Sequence, residues 1–243
     1  MASAVVLLHG FTHTGASWDS VIAALGERYS ALAPDMRGHG SSSDTQPVTL
    51  EAVIADVAAL MPEPFTLVGY SMGGRIALHA ALALGDRVTR LVLIGASPGI
   101  ANPRERAARR RADDRLAEEI ERSTIDEFAR RWAATPVLAG QSRGVAAAAH
   151  ADRLRSTTPG LARALRGLGT GALPPVWDRL DELAVPVTLI VGERDQKFRG
   201  IAGAMAAEVS GAEIVVVPGA GHAVHLEDPD AVARVIARRD RTS

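Results

Sequence analysis

Phe65-Thr66-Leu67-Val68-Gly69-Tyr70-Ser71-Met72-Gly73-Gly74-Arg75 joins a short apolar run to a Gly-x-Ser-x-Gly pentapeptide, and a helical pattern then continues to Leu84. A strand that reverses directly into a helix forces the residue at the apex into a strained backbone, and only small neighbours leave room for it. With Ser71 at the apex, its hydroxyl stands clear of the sheet edge, beside the positive end of the following helix. The stretch therefore predicts an α/β fold with Ser71 at the carboxyl end of a buried strand.

The same alternation extends in both directions. Strands are expected at Ala4–Leu8, Ser30–Ala33, Phe65–Val68, Leu91–Ile94, Val187–Val191 and Glu213–Val217, and their largely Val/Leu/Ile character suits burial on both faces of a parallel sheet. Helical patterns fall between them at Ser17–Leu25, Leu50–Leu60, Gly74–Leu84, Gly200–Val209 and Asp230–Arg238. This order implies right-handed crossovers and a mostly parallel, doubly wound sheet, with ligands beyond the carboxyl ends of its strands. Between Ile94 and Val187 no strand is expected. Helical sequence rich in Arg, Ala and Glu, broken by Thr135-Pro136, Thr158-Pro159-Gly160 and Pro174-Pro175, predicts a helical lid over residues 100–180. The core is then built from 1–99 and 181–243.

Composition narrows the function. The chain has 243 residues, 47% of them hydrophobic, and a formal net charge of −1, which points away from disorder and from wholesale nucleic-acid binding. With no cysteine, disulfides, thiol catalysis and cysteine-based zinc sites are excluded. The first ten residues have no basic segment, and their apolar run is too short for a signal peptide or membrane span, so a cytoplasmic protein without membrane insertion is expected. Fourteen arginines stand against nine acidic residues in 101–170, so the segment over the carboxyl edge is basic while the rest is acidic. Such a field favours a small anionic ligand. No metal-ligand spacing and no phosphate-binding glycine loop occurs, and no cofactor is expected.

Three chemical residues share the carboxyl edge. Ser71 follows the third strand, Asp195 ends Val191-Gly192-Glu193-Arg194-Asp195 after the fifth, and His222 follows the sixth in Pro218-Gly219-Ala220-Gly221-His222. A serine hydroxyl is a weak base or nucleophile at neutral pH. An imidazole must take its proton, and a carboxylate must orient the ring and stabilise the imidazolium. The order Ser, acid, His is the one this architecture uses. His225 is a rival to His222, but the glycines around Ala220 favour a tight loop presenting His222, which leaves His225 to pack. His9-Gly10-Phe11 ends the first strand, where the Phe11 amide and that of Met72 could form an oxyanion hole. His9 and Asp35 are expected to shape their own loops.

With these residues in place, the chain resembles the α/β-hydrolase superfamily over its whole length. More narrowly, it is similar to the menaquinone-pathway 2-succinyl-6-hydroxy-2,4-cyclohexadiene-1-carboxylate synthases. The resemblance is carried by Gly69 through Arg75, Ser97-Pro98-Gly99-Ile100, Phe128 through Trp132 with Pro136-Val137, and Leu154-Arg155-Ser156. It continues in Gly169-Thr170-Gly171 with Trp177, Gly192 through Asp195 with Lys197-Phe198-Arg199, and Gly219 through His222. Two positions depart from the family pattern: Ala133 stands where an aromatic is common, and Ala172 precedes Leu173-Pro174 where a polar residue is common.

The resemblance implies a lyase that eliminates pyruvate from 2-succinyl-5-enolpyruvyl-6-hydroxy-3-cyclohexene-1-carboxylate, with Ser71 deprotonated toward His222 and acting as the base. The substrate carries three carboxylates, which planar arginines recognise bidentately. By position, the resemblance assigns carboxylate binding to Arg75, Arg109 and Arg155, and pocket walls to Tyr70 and Trp132. A monomer or small homo-oligomer acting on a polycarboxylate is implied. The triad alone admits a carboxylic-ester hydrolase working through an acyl-enzyme, and a ligand sensor without turnover is a third reading.

Overall fold

The computed structural model describes residues 2–61 and 63–238. Six strands, β1 (Ser3–Leu8), β2 (Tyr29–Leu32), β3 (Phe65–Tyr70), β4 (Val88–Ile94), β5 (Val187–Gly192) and β6 (Glu213–Val217), form one sheet in the order β2-β1-β3-β4-β5-β6. Every strand pairing among the described residues is parallel, in keeping with the expected parallel sheet. The strand order reverses between β1 and β3, and the crevice at such a switch point is where ligands of open α/β sheets bind. The loop after β1 and the turn after β3 meet there.

Alternation along the strands divides the core. Val6, Leu8, Leu67, Leu91, Leu93 and Leu189 face α2 (Leu50–Leu60), α3 (Met72–Leu84) and the later helix Gln196–Glu208. Val5, Leu7, Val68, Val92, Ile94 and Ile190 face Trp18, α1 (Asp19–Leu25) and the C-terminal helix Pro229–Ile236. The helical stretch expected from Ser17 divides into a 3₁₀ turn, Gly15–Trp18, and α1, because Thr14 accepts from the Ala16 amide and caps the turn first. α3 begins at Met72, two residues before the expected start, since the chain enters the helix directly from Ser71.

Four helices stand between β4 and β5: α4 (Pro103–Glu121), α5 (Ile125–Ala133), α6 (Arg143–Arg153) and α7 (Thr158–Leu168). Asn102 caps α4 ahead of Pro103, and Thr124 with Glu127 forms a capping box on α5. Ala117, Ile120, Phe128, Leu161 and Leu165 give this insertion its own apolar centre, which continues onto Phe11 of the body through Trp132. After β5 come α8 (Gln196–Glu208), the short α9 (Val224–Glu227) and α10 (Pro229–Ile236). No described helix is long and apolar enough to cross a membrane.

Close packing of β1, β3 and α3 explains the elbow glycines. A Cβ on Gly69 would lie 2.5 Å from the Gly73 carbonyl oxygen, and one on Gly73 would enter the carbonyl oxygens of Leu8 and His9. Gly73→Ala should therefore lower stability by about 1–3 kcal/mol or more, because the obstructing atoms are backbone. A urea midpoint close to that of the parent protein would refute this close-approach account.

Buried histidines brace the loops at the carboxyl edge. His9 donates from Nδ1 to the Gly10 carbonyl (2.9 Å), and its Nε2 accepts the Met36 amide (3.0 Å). His39 packs edge-on against it. Burial pushes His9 down to about 4 and His39 down to about 3. Both are neutral when folded, and the unfolded chain takes up their protons first. Stability therefore falls as pH drops below about 6.5 and keeps falling toward these folded values, at about 1 kcal/mol per histidine for the first unit. Urea midpoints at pH 7.5, 6.5 and 5.5 should decline in that order; a flat profile would count against neutral burial.

Candidate active site

Ser71 has φ 52° and ψ −107°, and Thr12 has φ 73°; they are the two non-glycine residues with positive φ among the described residues. Conformations of this kind cost about 1–3 kcal/mol each and persist where surrounding structure imposes them. Ser71 is held by its amide bond to the Ile94 carbonyl (2.9 Å) and by the first helical bond of α3, from the Arg75 amide to its own carbonyl (3.1 Å). The strain lifts the hydroxyl above the sheet edge.

The hydroxyl lies 3.2 Å from His222 Nε2, and His222 Nδ1 lies 2.6 Å from Asp195 Oδ2. A carboxylate only accepts, so Nδ1 carries the proton and Nε2 is free to receive that of Ser71. Asp195 also caps α8, its Oδ1 accepting the Phe198 amide (3.2 Å), and this second bond fixes the rotamer that meets His222. The Phe198 ring packs on the imidazole at 4.5 Å between centroids, and Gly95 gives it room, since a Cβ there would lie 2.8 Å from His222 Cε1.

Phe11 lies in a turn closed by the His13 amide on the Gly10 carbonyl (3.1 Å), with Thr12 in the left-handed region. Among the described residues neither the Phe11 nor the Met72 amide donates to another protein group. Asp35 accepts from the Gly15 amide (2.7 Å) and from the Ser41 amide and hydroxyl (2.8 Å each), tying together the loops after β1 and β2. His225 is fully buried against Tyr70 and Trp18 and takes a packing place.

Arg75 is buried, and its Nε and Nη1 have no partner among the described residues. Burial, with the Arg109 guanidinium nearby, pushes it down to about 10, so it stays charged at neutral pH. Arg109 is half-exposed and donates to Asp113 Oδ1 (2.6 Å), whose other oxygen accepts the Gly171 amide (3.1 Å). Trp132 lies 5.2 Å from the Phe11 ring, roofing the turn. Tyr70 is buried between Gly10, His222 and His225, and burial keeps its phenol protonated.

Arg155 lies elsewhere. Its side chain is 64% exposed and faces a surface cleft with Thr14, Asp35 and Ser41, away from Ser71. The arginine that turns inward is Arg153, 1% exposed and near Tyr70, with Nε on Thr12 Oγ1 (3.2 Å) and both terminal nitrogens unpartnered among the described residues. The sequence carries a signal for this: Ala149, Asp152, Arg153 and Ser156 recur at helical spacing, and all four are buried, whereas Leu154 and Arg155 point outward. Asp152, also unforeseen, receives His13 Nδ1 (2.9 Å), the Thr14 amide (3.1 Å) and the Thr14 hydroxyl. Burial would raise its carboxyl, but the bonds from His13 and Thr14 outweigh it and hold it below the usual range. A second seam runs from the Gly140 carbonyl through Arg194 to Glu227, which accepts the Gly221 amide beside His222.

An alpha/beta hydrolase family model matches residues 5–235. A putative 2-succinyl-6-hydroxy-2,4-cyclohexadiene-1-carboxylate synthase of Bacillus subtilis is 36% identical, over 97% of this chain and 89% of its own length. The synthase of that name from Salmonella agona is 34% identical over 98% and 93%. The solved structure of MenH from S. aureus superposes with a TM-score of 0.91 at 30% identity, covering 96% of this chain and 91% of that one. The chain belongs to the alpha/beta hydrolase family and, within it, to the 2-succinyl-6-hydroxy-2,4-cyclohexadiene-1-carboxylate synthases.

Proposed function

We propose that the protein is the lyase its relatives are named for, forming 2-succinyl-6-hydroxy-2,4-cyclohexadiene-1-carboxylate and pyruvate from the enolpyruvyl precursor. The observation that carries this reading is the pairing of a serine hydrogen-bonded to His222 with two buried guanidinium groups, Arg75 and Arg153, each with two nitrogens that no described protein group engages. An unpaired buried cation is costly, and a carboxylate is the ligand that offsets it. An ester hydrolase needs the serine and the histidine but not these cations.

In this reading the Ser71 hydroxyl passes its proton to His222 Nε2, and Asp195 stabilises the imidazolium. The serine oxygen removes the ring proton next to the succinyl ketone. The electron pair forms a second ring double bond as the C–O bond to the enolpyruvyl group breaks. Pyruvate leaves as its enolate and takes up a proton, so no water is consumed and no acyl-enzyme forms. The Phe11 and Met72 amides would stabilise charge on the succinyl carbonyl oxygen while the proton departs, a contribution of about 3 kcal/mol for one such donor. Residues 100–180 act as the lid in this scheme, with Trp132 and Phe128 keeping water from the ring. A cytoplasmic enzyme is part of the same proposal.

Ser71→Ala should reduce pyruvate release from the enolpyruvyl substrate by at least about a thousandfold in kcat while substrate binding is largely kept. Release that persists without the Ser71 hydroxyl would overturn the base assignment. A burst of p-nitrophenol from p-nitrophenyl acetate, combined with no pyruvate release by the parent protein, would favour the hydrolase instead.

Arg75→Ala and Arg153→Ala should each lower kcat/KM by roughly tenfold to a hundredfold, through loss of a charge-assisted contact worth about 1.5–3 kcal/mol. Arg155→Ala should fall well short of either. Equal effects at 153 and 155 in steady-state kinetics would disprove the inward assignment of Arg153.

A further inference from the structure

The three residues that follow Phe11 are all bound to two neighbouring residues of the inserted helix α6. Asp152 takes His13 Nδ1 and the Thr14 amide on Oδ2 and the Thr14 hydroxyl on Oδ1, while Arg153 donates from Nε to Thr12 Oγ1. The ring of Phe11 meets the insertion as well, at Trp132 and Phe128 of α5. Within the body, the turn is closed by one backbone bond, from His13 to Gly10, and its third residue is a β-branched threonine in the left-handed region. A turn with φ above zero at that position ordinarily takes glycine. Thr14 is tied to the body by the Ala16 amide and by Ser17, but the side-chain bonds on Thr12 and His13 come from α6.

We propose that Asp152 and Arg153 are positioning residues for the oxyanion hole: by gripping Thr12, His13 and Thr14, the C-terminal turn of α6 aims the Phe11 amide at the site over Ser71. This rests on the roles given above to Ser71, Phe11 and Met72. Arg153 has a double part. Its Nε holds Thr12 while its two terminal nitrogens are unengaged by the protein among the described residues, so a substrate carboxylate bound there steadies the same guanidinium that holds the turn. Carboxylate recognition and the oxyanion donor are thereby joined through one side chain. Asp152 touches neither substrate nor reacting atoms.

The test uses a probe that needs the oxyanion hole but carries no carboxylate for Arg153 to bind. A small alkyl fluorophosphonate reacts as the Ser71 oxygen attacks phosphorus, the proton passes to His222 and fluoride leaves, with the phosphoryl oxygen directed at the two amides. Labelling rate constants are measured well below each variant's melting temperature, so that only folded protein is compared. Asp152→Ala should label at least about tenfold more slowly than the parent protein. Asp152→Asn should recover to within about threefold, since its amide oxygen can accept from His13 and the Thr14 amide while its nitrogen donates to the Thr14 hydroxyl. With the enolpyruvyl substrate, Asp152→Ala should lower kcat as well as raise KM. A folded Asp152→Ala protein that labels at the parent rate overturns the proposal. If that variant fails to fold, Thr14→Val, which removes one of the three bonds, should label about threefold more slowly, and an unchanged rate there overturns it equally. Failure of the parent protein to label would remove the reading of Ser71 and the clamp together. Labelling of the parent without pyruvate release would remove the lyase reading and leave the clamp standing on its own rates.

Discussion

The close approach of α3 to β1 and β3 is the constraint on which the other features of the site depend. Ser71 can occupy its strained conformation because Gly69 and Gly73 let the helix start one residue after the strand, with the Leu8 and His9 carbonyls in the space where a Cβ would sit. That contact sets the height of the Ser71 hydroxyl, puts the Met72 amide at the open end of the helix, and brings the end of β1 beside it. Gly95 repeats the device one strand further on, where its missing side chain lets the His222 ring approach. Backbone approach thus gathers the Ser71 hydroxyl, the Met72 amide, the end of β1 and the His222 ring from three segments of the chain before any polar bond between them is considered.

The polar bonds then join the inserted helices to this frame at two seams. One runs from Asp152 and Arg153 into the turn after β1. The other runs from the Gly140 carbonyl through Arg194 and Glu227 to the Gly221 amide beside His222. The first reaches Thr12, next to Phe11, and the second ends on Gly221, next to His222. The helices between β4 and β5 are in this way bonded to the body, since each seam fixes a short loop whose own internal bonds are few. Arg194 precedes Asp195 in the chain, so the second seam also borders the carboxylate that orients the imidazole.

Much of this could be read in the sequence, for a definite reason. All six strands fall within a few residues of their expected places, because continuous apolar runs flanked by glycine, proline or polar residues have one stable use in a two-sided parallel sheet. Ser71 follows such a run directly, while Asp195 and His222 lie in the short loops just beyond the ends of β5 and β6, and position near a strand end is local information. Arg155 shows where that information stops. The Leu154-Arg155-Ser156 segment identifies the neighbourhood, but which of two arginines turns inward depends on the rotation of α6 against the body. That rotation is set by Asp152 meeting His13 and Thr14 across well over a hundred residues of chain. Spacing alone did contain the face, through Ala149, Asp152, Arg153 and Ser156, yet a stripe of mixed alanine and charge resembles a solvated surface until its partner is known.

The same triad geometry serves hydrolases and lyases, so the distinction lies in what surrounds it. A hydrolase must admit water and stabilise an acyl-enzyme; an elimination must hold a charged ring still and keep water away. Arg75 and Arg153 are buried beside the elbow with guanidinium nitrogens that no described protein group satisfies. Leaving such cations unpaired costs several kcal/mol each against a net stability of about 5–15 kcal/mol for an ordinary domain. A fold retains an arrangement of that cost when an anion regularly completes it, and in the proposed function a polycarboxylate would do so at two points simultaneously. The binding free energy released there would then order the turn that carries the Phe11 amide, because Arg153 holds Thr12 with its Nε. In the proposed scheme recognition and rate are coupled at that guanidinium, so the buried cations on α3 and α6, rather than the serine, would distinguish the chemistry.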